Sequence, residues 1–121
     1  MENKTRLGPW GEQLAAEFLE RRGYRVTERN FRTRFGEIDI IAENAEFLVF
    51  AEVKLRKTAY FGAAREFVDK RKQEKLRTTA AIFLEEHETA LQPRFDVIEI
   101  YAPEGMQTKL PRIRQIENAF L

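Results

Sequence analysis

Asp39 is the first residue whose position calls for a chemical reason. It lies inside the apolar run Gly36-Glu37-Ile38-Asp39-Ile40-Ile41, in a chain with only three aspartates against 17 glutamates. A short acid is disfavoured there by both strand propensity and burial, so it needs a local partner. Thirteen residues on, Glu52 interrupts a second apolar run, Glu46 to Arg56. Lys54 follows two positions later and projects from the same face as Glu52, because strand side chains repeat every second residue. If a turn near Asn44 and Ala45 pairs the two runs antiparallel, the position opposite Asp39 falls near 50, within a residue or two. Glu52 is then a direct or diagonal neighbour, within about 8 Å. Carboxylates this close repel unless a cation sits between them, and oxygen ligands without histidine or cysteine favour Mg2+ or Mn2+ over zinc. Lys54 beside such an ion could stabilise charge on a pentavalent phosphorus or help deprotonate an attacking water. The ion itself would polarise a phosphoryl oxygen and acidify the water. Hydrolysis of a phosphodiester is the chemistry implied. The same residues also admit a structural reading, in which Glu52 and Lys54 form a cross-strand ion pair and Asp39 meets Arg32, Arg34 or Arg56 on a solvated sheet face.

The surrounding sequence predicts the elements that must position these groups. Trp10, Leu14, Phe18 and Arg22 recur every four residues, with Ala15 and Leu19 beside them, which predicts an amphipathic helix over about 9–22 ending at Gly23, with Pro9 in its first turn. Tyr24 to Phe31 reads as a short strand. Gly36 to Glu43 reads as a second, with Ile38, Ile40 and Ala42 on one side of the pleat and Glu37, Asp39 and Ile41 on the other. The third strand is apolar on both faces through Leu48 to Ala51 and polar at its far end, where Glu52, Lys54 and Arg56 share a face. After a loop holding Tyr60, Phe61 and Gly62, a helix is expected from about Ala64 to His87, with Asp69 able to cap its main part. Arg94 to Tyr101 is a further strand, and Arg112 to Ile116 a possible last one. Trp10, Phe18, Phe83 and Phe95 are expected in the core. The fold class is α/β: a mixed sheet flanked by helices, in the order α-β-β-β-α-β, as one domain over 1–121.

Composition narrows the remaining options. With 121 residues, 43% hydrophobic and 34% charged, the chain can bury one modest core. No run approaches the ~18 continuous apolar residues of a spanning helix, and the N-terminus lacks a secretory h-region, so a cytoplasmic, membrane-free protein is expected. Zero cysteines exclude thiolate sites, and the lone His87 excludes histidine pairs. The net charge of +1 hides a polarised chain. Six arginines against Glu28 occupy 21–34, nine basic residues against three acids occupy 54–77, and six acids against Arg94 occupy 85–104. Arginines outnumber lysines 14 to 7, which suits phosphate recognition by a planar fork. Arg32, Arg34, Arg56, Lys70 and Lys72 are the candidate nucleic-acid contacts.

The acid within an apolar strand followed by Glu52-Val53-Lys54 resembles the PD-(D/E)xK nuclease superfamily. Read together with Gly11-Glu12, Asn30-Phe31-Arg32, Phe61-Gly62, Lys70-Arg71-Lys72-Gln73 and Arg94-Phe95-Asp96-Val97, the chain resembles the YraN-like bacterial family from about residue 8 to 120. The superfamily's nominal proline is absent, since Ile38 stands in its place. The resemblance implies a restriction-endonuclease-like fold with relatives among Holliday-junction resolvases. By that resemblance Asp39 and Glu52 would be ligands of Mg2+ or Mn2+, the Val53 carbonyl a third oxygen, Lys54 the catalytic lysine and Glu12 the first-helix glutamate. Asp96 is instead expected at an arginine or strand-end contact. The expected partner is DNA, branched or otherwise structured, cut by a twofold homodimer with one site per strand. The alternatives are a nucleic-acid-binding module without turnover and a scaffold using the acidic 85–104 region.

Overall fold

The computed structural model describes residues 4–57 and 69–120. Helix α1 (Lys4–Arg21) leads into strands β1 (Arg25–Thr33), β2 (Gly36–Glu43) and β3 (Phe47–Arg56). Helix α2 (Lys70–Glu86), strand β4 (Gln92–Tyr101), a 3-10 turn at Gly105–Gln107 and strand β5 (Arg112–Ile116) follow. The five strands form one sheet in sequence order. All neighbours are antiparallel except β3 and β4, which run parallel over ten paired positions from Phe47↔Gln92 to Arg56↔Tyr101. A parallel pair needs a crossover, and α2 lies on that connection. The α/β order is the expected one, and the short last strand is present.

Each face of the sheet carries one helix and its own core. Ala15, Ala16 and Leu19 of α1 pack on Ile40, Ala42, Val49, Ala51, Ile98 and Ile100. Leu76, Ala80 and Phe83 of α2 pack on Ile38, Ile41, Phe50 and Val97, joined by Ala119 and Phe120. This two-sided cover explains why β3 is apolar on both faces through Ala51. Phe83 sits edge-on to Phe31 and Phe50, with centroids 5.3 and 5.9 Å apart. It and Phe95 belong to the α2-side core and Trp10 packs half-buried against the α1-side core, as expected, whereas Phe18 is half-buried under the Arg22 guanidinium, 4.9 Å from its ring centroid, rather than in either core.

Three local features differ from the sequence expectation. Helix α1 starts at Lys4, a turn before Pro9, so the proline lies inside it. Its missing N–H costs a single bond to the Thr5 carbonyl, near the helix start, and its fixed φ fits the helix. Strand β1 is shifted to Arg25–Thr33, and a tight turn at Arg34 and Phe35 joins it to β2. The alternation in β2 breaks at Asp39: Ile38 joins the α2-side core, while Ile40 joins the α1-side core. The cause is visible in β1, where Asn30, between the pairs Arg29↔Ile40 and Phe31↔Ile38, has φ 54°. Asparagine tolerates this left-handed conformation better than most residues, and one such residue rotates the strand about its axis. Helix α2 begins at Lys70 with Asp69 as its N-cap, Oδ1 accepting from the Lys72 N–H at 2.9 Å. Tyr60, Phe61, Gly62 and the expected helix start near Ala64 lie outside the described residues.

Candidate active site

Strands β2 and β3 form the hairpin that the turn residues suggested. Asn44 Oδ1 accepts from the Glu46 and Phe47 N–H groups at 2.9 and 2.7 Å and closes the turn. The ladder runs from Glu43↔Leu48 to Ile40↔Ala51, a register that extrapolates to Asp39 facing Glu52. At that point the two strands stop exchanging main-chain bonds. The Val53 N–H donates instead to Asp39 Oδ2 at 2.8 Å. The carboxylate therefore stands in for a strand carbonyl, at the place where Asn30 has twisted the sheet.

Two charged groups meet at this notch. On the α1 side, carboxylate oxygens of Glu12, Glu37 and Asp39 all lie within 4.8 Å of one another. Helix α1 delivers Glu12 because it approaches β3 closely at Gly11, where a Cβ would come within 3.1 Å of the Leu55 side chain. On the α2 side, Glu52 Oε1 accepts from Lys72 Nζ at 2.7 Å and lies 3.6 Å from Lys54 Nζ. Glu52 is 9% exposed, so its end of both ion pairs is desolvated, while the Lys72 side chain keeps partial contact with solvent. The ion pair between Glu52 and Lys54 thus exists, along one strand. Asp39 has no ion pair among the described residues, and Arg32, Arg34 and Arg56 are engaged elsewhere.

The electrostatics follow from this placement. Burial, then the charge of Glu52, push the Asp39 carboxyl up to about 7, with Glu12 and Glu37 adding to the effect and the Val53 N–H opposing it. Burial and the neighbouring Lys72 hold Lys54 below the ordinary lysine range, against the attraction of Glu52. For Lys72 burial acts downward, but its hydrogen bond to Glu52 and the charge of that residue outweigh it and raise the lysine. The set combines crowded hard oxygen donors with an amine whose proton is loosened. Those oxygens fit a divalent ion such as Mg2+ or Mn2+: among the described residues a single N–H donates to Asp39, and extra positive charge would relieve the crowding.

The other candidate residues are distributed unevenly. Arg32 Nε donates to Glu37 Oε2 at 2.9 Å while its side chain stays 73% exposed, beside a groove of about 530 Å3 lined by Pro9, Glu12, Arg29, Asn30, Arg32 and Glu37. Arg34 lies over the exposed Phe35 ring, 4.8 Å from its centroid. Lys70 is exposed at the start of α2. Arg56 is turned inward, with Nε 3.3 Å from the fully buried Glu99. Asp96 meets Arg94, as expected of it. Sequence reasoning put Glu37 on the same face as Asp39 but gave it no ligand role, and the structure brings both into one cluster with Glu12. It placed Lys72 on the surface with Lys70, and nothing local to residues 70–73 reveals that Lys72 reaches Glu52.

Comparison with known proteins gives consistent matches along the whole chain. The profile of the family described as Uncharacterised protein family UPF0102 matches residues 11–100. A UPF0102 protein of Caldanaerobacter subterraneus subsp. tengcongensis is 41% identical over 120 residues, 98% of this chain and 97% of that protein. One of Renibacterium salmoninarum is 41% identical over 94% of this chain and 98% of its own. One of Desulforapulum autotrophicum is 45% identical over 99% of this chain and 98% of its own. No described helix is long and apolar enough to cross a membrane.

Proposed function

The chain belongs to the UPF0102 family, the YraN-like family its motifs resemble, and from the geometry of its site we propose that it is a divalent-metal-dependent endonuclease acting on DNA, with branched or otherwise structured DNA as the substrate class. The observation that carries this reading is the under-partnered Asp39 carboxyl, set among Glu12, Glu37 and Glu52 and backed by the half-buried Lys54. Asp39 would hold the metal together with acids from both sides of the notch, Glu12 or Glu37 from α1 and β2 and Glu52 from β3. When bound, Mg2+ or Mn2+ supplies charge to a phosphoryl oxygen and acidity to a water molecule. The chain's own residues do the rest. Lys54 orients the attacking water and takes its proton, favoured by burial, which disfavours an ammonium there. Water oxygen bonds to phosphorus, one P–O ester bond breaks, and the proton passes to the departing alkoxide. Arg32 and Lys70, both exposed near the notch, bind flanking phosphates. One site per chain cuts one strand, so paired cuts would take two copies.

The test is cleavage of supercoiled, junction, flap and RNA substrates with Mg2+ or Mn2+. Nicking of DNA is expected from the unaltered chain, with loss of at least about a hundredfold in Asp39→Asn and in Lys54→Ala. Activity that survives both substitutions would overturn the mechanism. Salt-sensitive binding with no cleavage of any substrate would instead identify a binding module built on the same fold.

A further inference from the structure

Lys72 does something in this site that a solvated phosphate-binding lysine does not. Its Nζ lies 2.7 Å from Glu52 Oε1, closer than the 3.6 Å of Lys54, the strand neighbour whose spacing predicts the contact. Glu52 is buried, so Lys72 must lay its charged end against the sheet, while Lys70 and Arg71 on the same helical turn remain exposed. The direction is fixed by the backbone. Asp69 caps α2 through the Lys72 N–H, which anchors the first turn and places this side chain over β3.

We infer that Lys72 is a resident counter-cation: its ammonium occupies the Glu52 oxygen that a divalent ion would need, is displaced when the ion binds, and thereby sets how tightly the site takes metal. This rests on the metal reading of the Asp39 cluster. Without the ion, a buried Glu52 beside the acids of the notch requires compensation, and one ammonium at 3.6 Å is partial compensation. Lys72 completes it. With an ion at Asp39, Glu52 is drawn towards the stronger charge and Lys72 faces a like charge. Its flexible stem lets it swing out beside Lys70 and Arg71. There its charge is available to a phosphate, so metal and nucleic acid favour the same position of the side chain.

The experiment is calorimetric titration of Mn2+ into the full chain and into Lys72→Met, Arg71→Met, Glu52→Gln and the double variant Glu52→Gln/Lys72→Met, each checked for cooperative thermal unfolding. Lys72→Gln replaces Lys72→Met if the latter does not fold. Lys72→Met is expected to bind Mn2+ at least about tenfold more tightly, as removal of a competing charge a few ångströms away implies. Arg71→Met is expected to stay within about twofold, because its exposed charge is screened by solvent. The gain should vanish in the Glu52→Gln background. Equal or weaker binding by Lys72→Met, or a gain that persists without the Glu52 carboxylate, overturns the inference while leaving the metal site standing. Absence of Mn2+ binding by the unaltered chain and every variant overturns the metal reading, and this inference with it.

Discussion

Asp96 and Asp39 are both aspartates placed among isoleucines and valines in one sheet, and the fold treats them in opposite ways. Asp96 is fully buried and accepts four hydrogen bonds: from Arg94 Nε and Nη2 at 2.9 and 2.8 Å, Gln115 Nε2 at 2.8 Å and the Asn118 N–H at 3.0 Å. Arg94 is itself held by the Tyr24 hydroxyl and Glu117. Burial opposes its charge, but Asp96 outweighs that and raises its pKa above the ordinary arginine range. Among the described residues, Asp39 receives one N–H and three acidic neighbours. A structural carboxylate is given all its donors by the chain, since an unsatisfied buried charge destabilises strongly. A carboxylate left short of donors among other acids holds its proton to a higher pH, and under the proposed function it is where a divalent ion would supply the missing positive charge.

Substitution should separate the two. Asp96→Ala strips Arg94, Gln115 and Asn118 of their acceptor, and is expected to destabilise by roughly 3–5 kcal/mol. Thermal unfolding would then show a fall in Tm of more than about 10 °C. A change under 1 kcal/mol would mean that Asp96 is no structural anchor. Asp39→Asn should move stability the other way. Folded Asp39 keeps its proton up to about pH 7, against 3.8 for the ordinary group. Between those values the folded state holds the extra proton, so this group's contribution falls as pH rises and is fully lost above about 7. The amide still accepts from Val53 but carries no charge, so Asp39→Asn should gain on the order of 1–3 kcal/mol at pH 8 and nothing below pH 4. Stability curves measured against pH would contradict this if the two proteins stayed parallel.

Metal should sharpen the contrast by a smaller amount. Millimolar Mn2+ is expected to raise the Tm of the unaltered chain by a few degrees at pH 8 and by less than about 1 °C at pH 5, where protons compete for Asp39. Asp39→Asn should show neither shift, whereas an Asp96 variant that still folds should keep both. The smallest effect belongs to the exposed rim. Lys70→Ala should leave stability within about 0.5 kcal/mol and lower the salt dependence of DNA binding by about one phosphate contact. A steep loss of folding there would move Lys70 into the structural class.

The element order, the hairpin at Asn44 and the Asp69 cap were legible in the sequence because periodicity, turn chemistry and capping are local. The Asp39 to Glu52 register followed within its stated tolerance from counting residues back from that turn. The break in alternation at Asp39 was not legible. It depends on Asn30 adopting a left-handed backbone in a neighbouring strand, and an asparagine in a strand gives no warning of that. Pro9 marked a helix start by its usual preference, yet the helix extends a turn before it. Lys72 shows the same limit at the site. Local spacing ties Glu37 to Asp39, but only the packing of α1 brings Glu12 to both. Lys72 reads as one more cation in a basic run until α2 is laid over β3.

The central claim is that the acids around Asp39 await a divalent ion. A crystal of the full chain soaked in Mn2+ and measured for anomalous scattering tests it without any substrate. A peak about 2.1 Å from an Asp39 oxygen, shared with at least one of Glu12, Glu37 or Glu52, is the predicted result. Millimolar Mn2+ that leaves no peak at Asp39, with its carboxylate still bound to the Val53 N–H alone, would contradict it.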